Sequence, residues 1–190
     1  MSLYRMDTLM RQARNKGICL GAFECWDSLN VQMIAKASDF CGIPVIFQAS
    51  PVEYNTMGGP DALADIVNFF VKKYDIDAAL HLDHGSELKH VAECAENGFS
   101  SVMLDASSKV FEENVRLSAA AAEIAHDNGI SLEAELGHVS GGGTFGGFGI
   151  KIDGDLFQNS VDLFHHLTGT GIGFGFESVG KPLPFGGDGR

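Results

Sequence analysis

Apolar and polar positions along this chain alternate between a helical and an extended rhythm. Met6 to Lys16 places Leu9, Met10 and Ala13 on one side at helical spacing, and Gly17 follows as a helix stop. Ile18 to Phe23 is a short, mostly apolar strand. Asp27 or Ser28 then caps a helix reaching Cys41, with Val31, Ile34 and Ala35 at helical spacing. Ile43 to Gln48 is an uninterrupted apolar strand of the kind that helices bury on both faces. Ala49-Ser50-Pro51 closes it, a glycine-rich loop follows, and Pro60 with Asp61 opens a helix to Lys73.

The same rhythm continues. Asp77 to Gly85 is a third strand, after which Ser86 is expected to cap a helix carrying Leu88, Val91 and Ala95. Ser101 to Asp105 is the fourth strand, and Phe111 to Asn128 an alanine-rich helix stopped by Gly129. Ser131 to Leu136 is the fifth strand, with Glu133 and Glu135 on one face. Repeated strand–helix starts of about 25 residues predict parallel strands joined by helical crossovers.

Beyond Gly137 the pattern changes. Gly141 to Gly149 reads as a flexible loop, Leu156 to Leu167 as a possible helix, and Gly171 to Phe176 as a weak sixth strand before a Pro- and Gly-rich tail. Residues 1–140 are therefore expected to form the barrel portion and 141–190 a glycine-rich segment of the same domain.

The chemistry lies at the strand ends. His81-Leu82-Asp83-His84 places three ionisable side chains where the third strand meets Gly85. Strict alternation puts His81 and Asp83 on one face and Leu82 and His84 on the other. Polar residues ending strands three, four and five predict a (β/α)8 barrel of the TIM type. An open doubly wound sheet is the alternative, although neither a GxGxxG nor a P-loop supports nucleotide binding. A closed barrel needs eight strands in typically about 250 residues. This chain of 190 residues offers five or six, so an incomplete barrel is expected, either a fragment, a diverged end or a partner-completed fold.

Composition narrows the partners. The net charge of −12 argues against nucleic acid and anionic membranes, while leaving room for a small anionic substrate. Cys19, Cys25, Cys41 and Cys94 show no metal-site or disulfide-framework spacing and read as reduced thiols of a cytoplasmic protein. Neither a signal peptide nor a membrane-spanning run of about 18 apolar residues is visible.

Five motifs in order resemble a known family. His81-Leu82-Asp83-His84-Gly85, Ser101-Val102-Met103-Leu104-Asp105 and Leu132-Glu133-Ala134-Glu135-Leu136-Gly137 resemble the leading motifs of the class II, zinc-dependent ketose-bisphosphate aldolases. These include the fructose-bisphosphate and tagatose-bisphosphate enzymes. Gly21-Ala22-Phe23 and Gln48-Ala49-Ser50-Pro51 are similar to that family's pattern too, and the likeness runs to about Gly142.

The resemblance implies a homo-oligomeric (β/α)8 lyase that cleaves a phosphorylated sugar to dihydroxyacetone phosphate and an aldehyde. It implies Asp83 as catalytic acid/base, His84 as the first zinc ligand, Glu135 as a carboxylate close to the metal and Asp105 as an acid of a second metal position. Ser50 matches a residue contacting the aldehyde half of the substrate. The family's remaining zinc histidines come from later strands, and Gly173 to Gly180 contains no histidine. His138, His165 and His166 stand outside those motifs. A weak zinc site is thus expected, with a non-catalytic aldolase-like protein as the alternative.

His81 is expected either to support the site or to be a hydrogen-bonded buried histidine, and His90 to be exposed. The simpler role open to Asp105 is to cap the following turn.

Overall fold

The computed structural model describes residues 3–135. Among them run α1 (Met6–Lys16), β1 (Ala22–Glu24), α2 (Ser28–Cys41), β2 (Val45–Ala49), α3 (Pro51–Thr56) and α4 (Pro60–Tyr74). There follow β3 (Ala78–Gly85), α5 (Leu88–Glu96), β4 (Ser101–Leu104), α6 (Phe111–Asp127) and β5 (Ser131–Ala134). The strands form one parallel sheet in the order β1-β2-β3-β4-β5, as the strand–helix rhythm predicts. The readings of Gly141–Gly149, Leu156–Leu167 and Gly171–Phe176 lie outside the described residues, as do His138, His165 and His166.

Alternation along the strands assigns the two faces. Val45, Phe47, Ala49, Leu80, Leu82, Val102, Leu104 and Leu132 belong to the main core, with Val31, Val67, Val91 and Ala121 of the helices. On the opposite face Ile46 and Ala79 pack with Met6 and Leu9, so α1 closes one end of that face. The rest of that face carries Gln48, His81, Asp83, Ser101 and Glu133, and it is there that the polar side chains meet.

Four boundaries differ from the sequence reading for a clear local reason. The amides of Ile18 and Ile43 donate to the carbonyls of Ala13 and Ser38, five residues back, at 3.1 and 3.2 Å. Both residues thus finish the preceding helix, past left-handed Gly17 and Gly42, in place of opening a strand. β1 and β2 start later as a result. The segment after Ser50 is a helix before it is a loop. Ser50 caps α3, with Val52 N donating to its Oγ at 3.3 Å and its own N–H donating to Glu53 Oε2 at 2.8 Å. Ser50-Pro51-Val52-Glu53 is a capping-box sequence with proline at the first helical position, a legible signal that the loop reading passed over. Lastly, α5 is entered through Glu87 with no side-chain cap, and Ser86 does not serve.

Candidate active site

Parallel strands in sequential order bring all their C-terminal ends to one rim. That rim collects Glu24 from β1, Gln48 from β2, Asp83 and His84 from β3, Asp105 just past β4, and Glu133 and Glu135 at the end of β5. His84 does not obey the alternation expected of it. Its φ is +46°, and the β3–β4 register slips between Leu82 and Gly85. The irregularity turns the imidazole away from the helix side, where Leu82 packs, and towards Asp105 and Glu135.

There His84 Nδ1 lies 3.1 Å from Asp105 Oδ2 and 3.8 Å from Glu135 Oε2. One donor atom from each of the three residues falls within 4.8 Å of the others. Asp105 is held from its other oxygen: Ser107 donates to Oδ1 through its N–H at 3.0 Å and its hydroxyl at 2.6 Å. Asp105 therefore caps its turn and serves the cluster at once. Burial alone would raise the Asp105 pKa, but the Ser107 hydrogen bonds and His84 outweigh it and hold the carboxyl below its ordinary value. Burial likewise opposes charge on His84, yet the Asp105 hydrogen bond and the charges of Asp83, Asp105 and Glu135 raise its pKa overall.

Glu135 is fixed through its main chain. Asn114 of α6, almost fully buried, donates from Nδ2 to the carbonyls of Glu135 and Ala106 at 2.8 and 3.0 Å. Asn114 carries no motif signal, and only the fold reveals its part.

The geometry suits a small N/O-liganded cation. Tetrahedral ligands at zinc distances of about 2.0–2.1 Å stand about 3.3 Å apart, which the 3.1 and 3.8 Å separations bracket. One imidazole and two carboxylates are an acceptable donor set for zinc.

Asp83, next to His84, is only partly buried. Gln48 Nε2 reaches Asp83 Oδ2 at 3.5 Å and donates to Glu24 Oε1 at 2.6 Å. Burial, joined by the charges of Asp83 and Glu53, raises the Glu24 pKa against the pull of the Gln48 hydrogen bond. Ser50 stands at the end of β2 with its hydroxyl on the Glu53 carboxylate, itself buried. Glu24, Gln48 and Glu53 are the members of the rim that sequence reasoning left without a role.

His81 is the hydrogen-bonded, buried histidine of the blander expectation. It is 3% exposed, with Nδ1 2.9 Å from Ser101 Oγ and Nε2 3.4 Å from Glu133 Oε2. His90 is half-buried, with Nδ1 enclosed, and not exposed as expected.

A parallel β/α arrangement with imidazole and carboxylates on the C-terminal rim defines an α/β protein of barrel type with a candidate metal centre. The family described as class II fructose-bisphosphate aldolase matches residues 4–170, and the chain belongs to that family. Over 143 residues it is 38% identical to a probable fructose-bisphosphate aldolase of Bacillus subtilis, covering 74% of this chain and 50% of that protein. A fructose-bisphosphate aldolase of Geobacillus stearothermophilus is 36% identical over the same shares of the two chains. The chain thus spans about half the length of the curated relatives it matches.

Among solved structures, the YdjI aldolase of Escherichia coli K12 superposes with a TM-score of 0.73 at 23% identity, over 88% of this chain and 59% of that one. The fructose-bisphosphate aldolase of Campylobacter jejuni gives 0.69 at 24% identity, over 86% and 53%. At such identities these likenesses establish the fold, which is that of the aldolase (β/α)8 barrels. The described residues contribute five of its parallel strands.

Proposed function

We propose that this chain is a class II aldolase-type lyase that, with zinc, reversibly cleaves a ketose bisphosphate to dihydroxyacetone phosphate and an aldehyde. The observation that carries the reading is the meeting of His84, Asp105 and Glu135, with Asp83 adjoining, on one rim. His84 and Glu135 would hold the metal, with Asp105 at the same cluster. Zinc bound there would polarise the substrate carbonyl and stabilise the negative charge that develops as the carbon–carbon bond breaks. Asp83 removes the proton from the C4 hydroxyl in the cleavage direction and returns it in condensation. Ser50, at the end of β2, would meet the aldehyde half.

Other features are in keeping with this. The four cysteines are unpaired, as in a cytoplasmic enzyme. No helix of the described residues is long and apolar enough to cross a membrane. Among those residues β1 and β5 each pair on one side only, and Trp26 just past β1 and Leu29, Met33 and Phe40 of α2 are exposed, which favours association between chains.

The test is zinc-dependent release of dihydroxyacetone phosphate from fructose or tagatose bisphosphate. Chelation should abolish it, and Asp83→Asn should cut turnover by a factor of about a hundred or more while metal is retained. Near-normal turnover in Asp83→Asn removes that residue from the role. A chain that binds no zinc and releases no product is the non-catalytic aldolase-like protein.

A further inference from the structure

The helix α2 carries apolar side chains on two opposite faces. Val31, Ile34 and Ala35 are buried in the main core, on the side of the sheet. At about 100° per residue, Leu29, Met33 and Phe40 fall on the face turned away from them. These three are 64%, 55% and 92% exposed and belong to neither core cluster. Trp26, at the entrance to the helix, is exposed as well. The outer face of α6, by contrast, is the ordinary charged one, with Glu112, Arg116 and Glu123 exposed.

The remainder of a barrel does not cover this row. The helices of a (β/α)8 barrel form one outer ring around the strands, so a neighbouring helix meets α2 from the side. On one side α4 does so, where Gln32 Nε2 donates to the Tyr74 hydroxyl at 3.1 Å. Even a closed ring leaves the face opposite the sheet bare.

Area and spacing both point to another copy of the chain. The side chains of Trp26, Leu29, Met33 and Phe40, each more than half exposed, offer on the order of 500 Å² of apolar surface. That is well over half of the about 800 Å² that each partner brings to a standard interface. Leu29, Met33, Lys36 and Phe40 follow one another at intervals of four, three and four residues. The order reads the same from either end, which suits a two-fold contact, where one patch must match itself.

We propose that α2 pairs antiparallel with α2 of a second copy across a two-fold axis, Leu29 packing on the second copy's Phe40 and Met33 on the aliphatic stem of its Lys36. The Lys36 ammonium still reaches water past that stem. Antiparallel packing also sets opposed helix dipoles side by side. The row lies outside the ring of helices and not on the rim that carries Asp83 and His84, so the proposal is independent of the aldolase reading.

The test is sedimentation equilibrium of the full 190-residue chain over a range of concentrations, with neither zinc nor substrate. The unaltered chain is expected to form dimers. Leu29→Lys and Phe40→Glu, at exposed positions where circular dichroism should show the fold retained, should each weaken the dimer by about thirty-fold or more. Both changes in one chain bring opposite charges together twice across the axis and should restore much of the lost affinity. Val110→Glu, at a residue equally bare but away from α2, should leave dimerisation unchanged. A monomer at every concentration overturns the proposal, whether the row is left bare or covered by residues 136–190. So does an assembly that the single α2 variants leave intact, or a double variant that recovers nothing.

Discussion

A β-carbon placed on Gly85 would lie 2.6 Å from the carbonyl oxygen of Met103 and 2.8 Å from Leu82 Cδ2. Gly85 pairs with Leu104, and its own carbonyl accepts from Asp105 N at 2.8 Å. The end of β3 is thus drawn against β4 where the register slips, and this close approach sets His84 beside Asp105.

Gly85→Ala should force those strands apart. The contact is with backbone, so it cannot be relieved by a rotamer change. We expect a loss of about 1–3 kcal/mol, typical of overpacking, read from urea denaturation midpoints. Metal affinity should fall with it. Unchanged stability would mean that the β3–β4 junction yields more readily than the close contact implies.

The strand order, most helix limits and the strands bearing the polar residues were legible because each depends on local pattern. Leu9 and Ala13 at helical spacing, or Val45 to Phe47 as an apolar run, need no tertiary information. What the pattern hid depends on backbone conformation or on distant partners. Alternation sent His84 to the wrong face because no sequence rule announces a positive φ at a histidine. Asn114 and Glu24 look unremarkable in sequence, and their surroundings are set by carbonyls and carboxylates on other strands. Glu53 was readable, since a glutamate three positions after Ser50 is a capping signal.

The four thiols should divide into two pairs. Cys25 and Cys94 are buried, and burial, with a small push from Glu24 and Glu93 respectively, drives each pKa up to about 12. Cys19 and Cys41 are exposed. Since the thiolate is the reacting form, a maleimide at mildly alkaline pH should modify the exposed pair quickly and the buried pair only on unfolding. Mass spectrometry of the partly labelled protein reads the pattern. Early modification of Cys94 would show that α5 opens far more often than its packing suggests.

The His81–Glu133 contact should appear in acid stability. Burial works against the Glu133 charge, but the hydrogen bond and charge of His81 outweigh it and lower the pKa. A carboxyl lowered in the folded state adds stability above its unfolded pKa of about 4.3, and the gain is lost as pH falls through the lower folded value. Glu133→Gln should therefore be less stable than the parent at pH 7, by well under about 1 kcal/mol because solvent screens a side chain that is 43% exposed, with the two converging in acid once the carboxyl is protonated. Urea midpoints across that range provide the measurement. A gap of equal size at both ends would assign the effect to packing.

Metal binding should depend on His84 and, more weakly, on the hydrogen bonds behind Asp105. The described residues bring one imidazole and two carboxylates to the cluster, fewer nitrogen ligands than a tight zinc site ordinarily has. Zinc is therefore expected to bind weakly and to leave during dialysis against a mild chelator. Equilibrium dialysis with metal analysis should find binding absent in His84→Ala. Ser107→Ala should retain it at an affinity lowered about tenfold, the lower end for a lost outer hydrogen bond, because the Ser107 N–H still holds Asp105 Oδ1 at 3.0 Å. Zinc retained at full stoichiometry by His84→Ala would place the site elsewhere. Tight zinc in the parent chain would call for ligands from beyond residue 135, where His138, His165 and His166 are the first to replace.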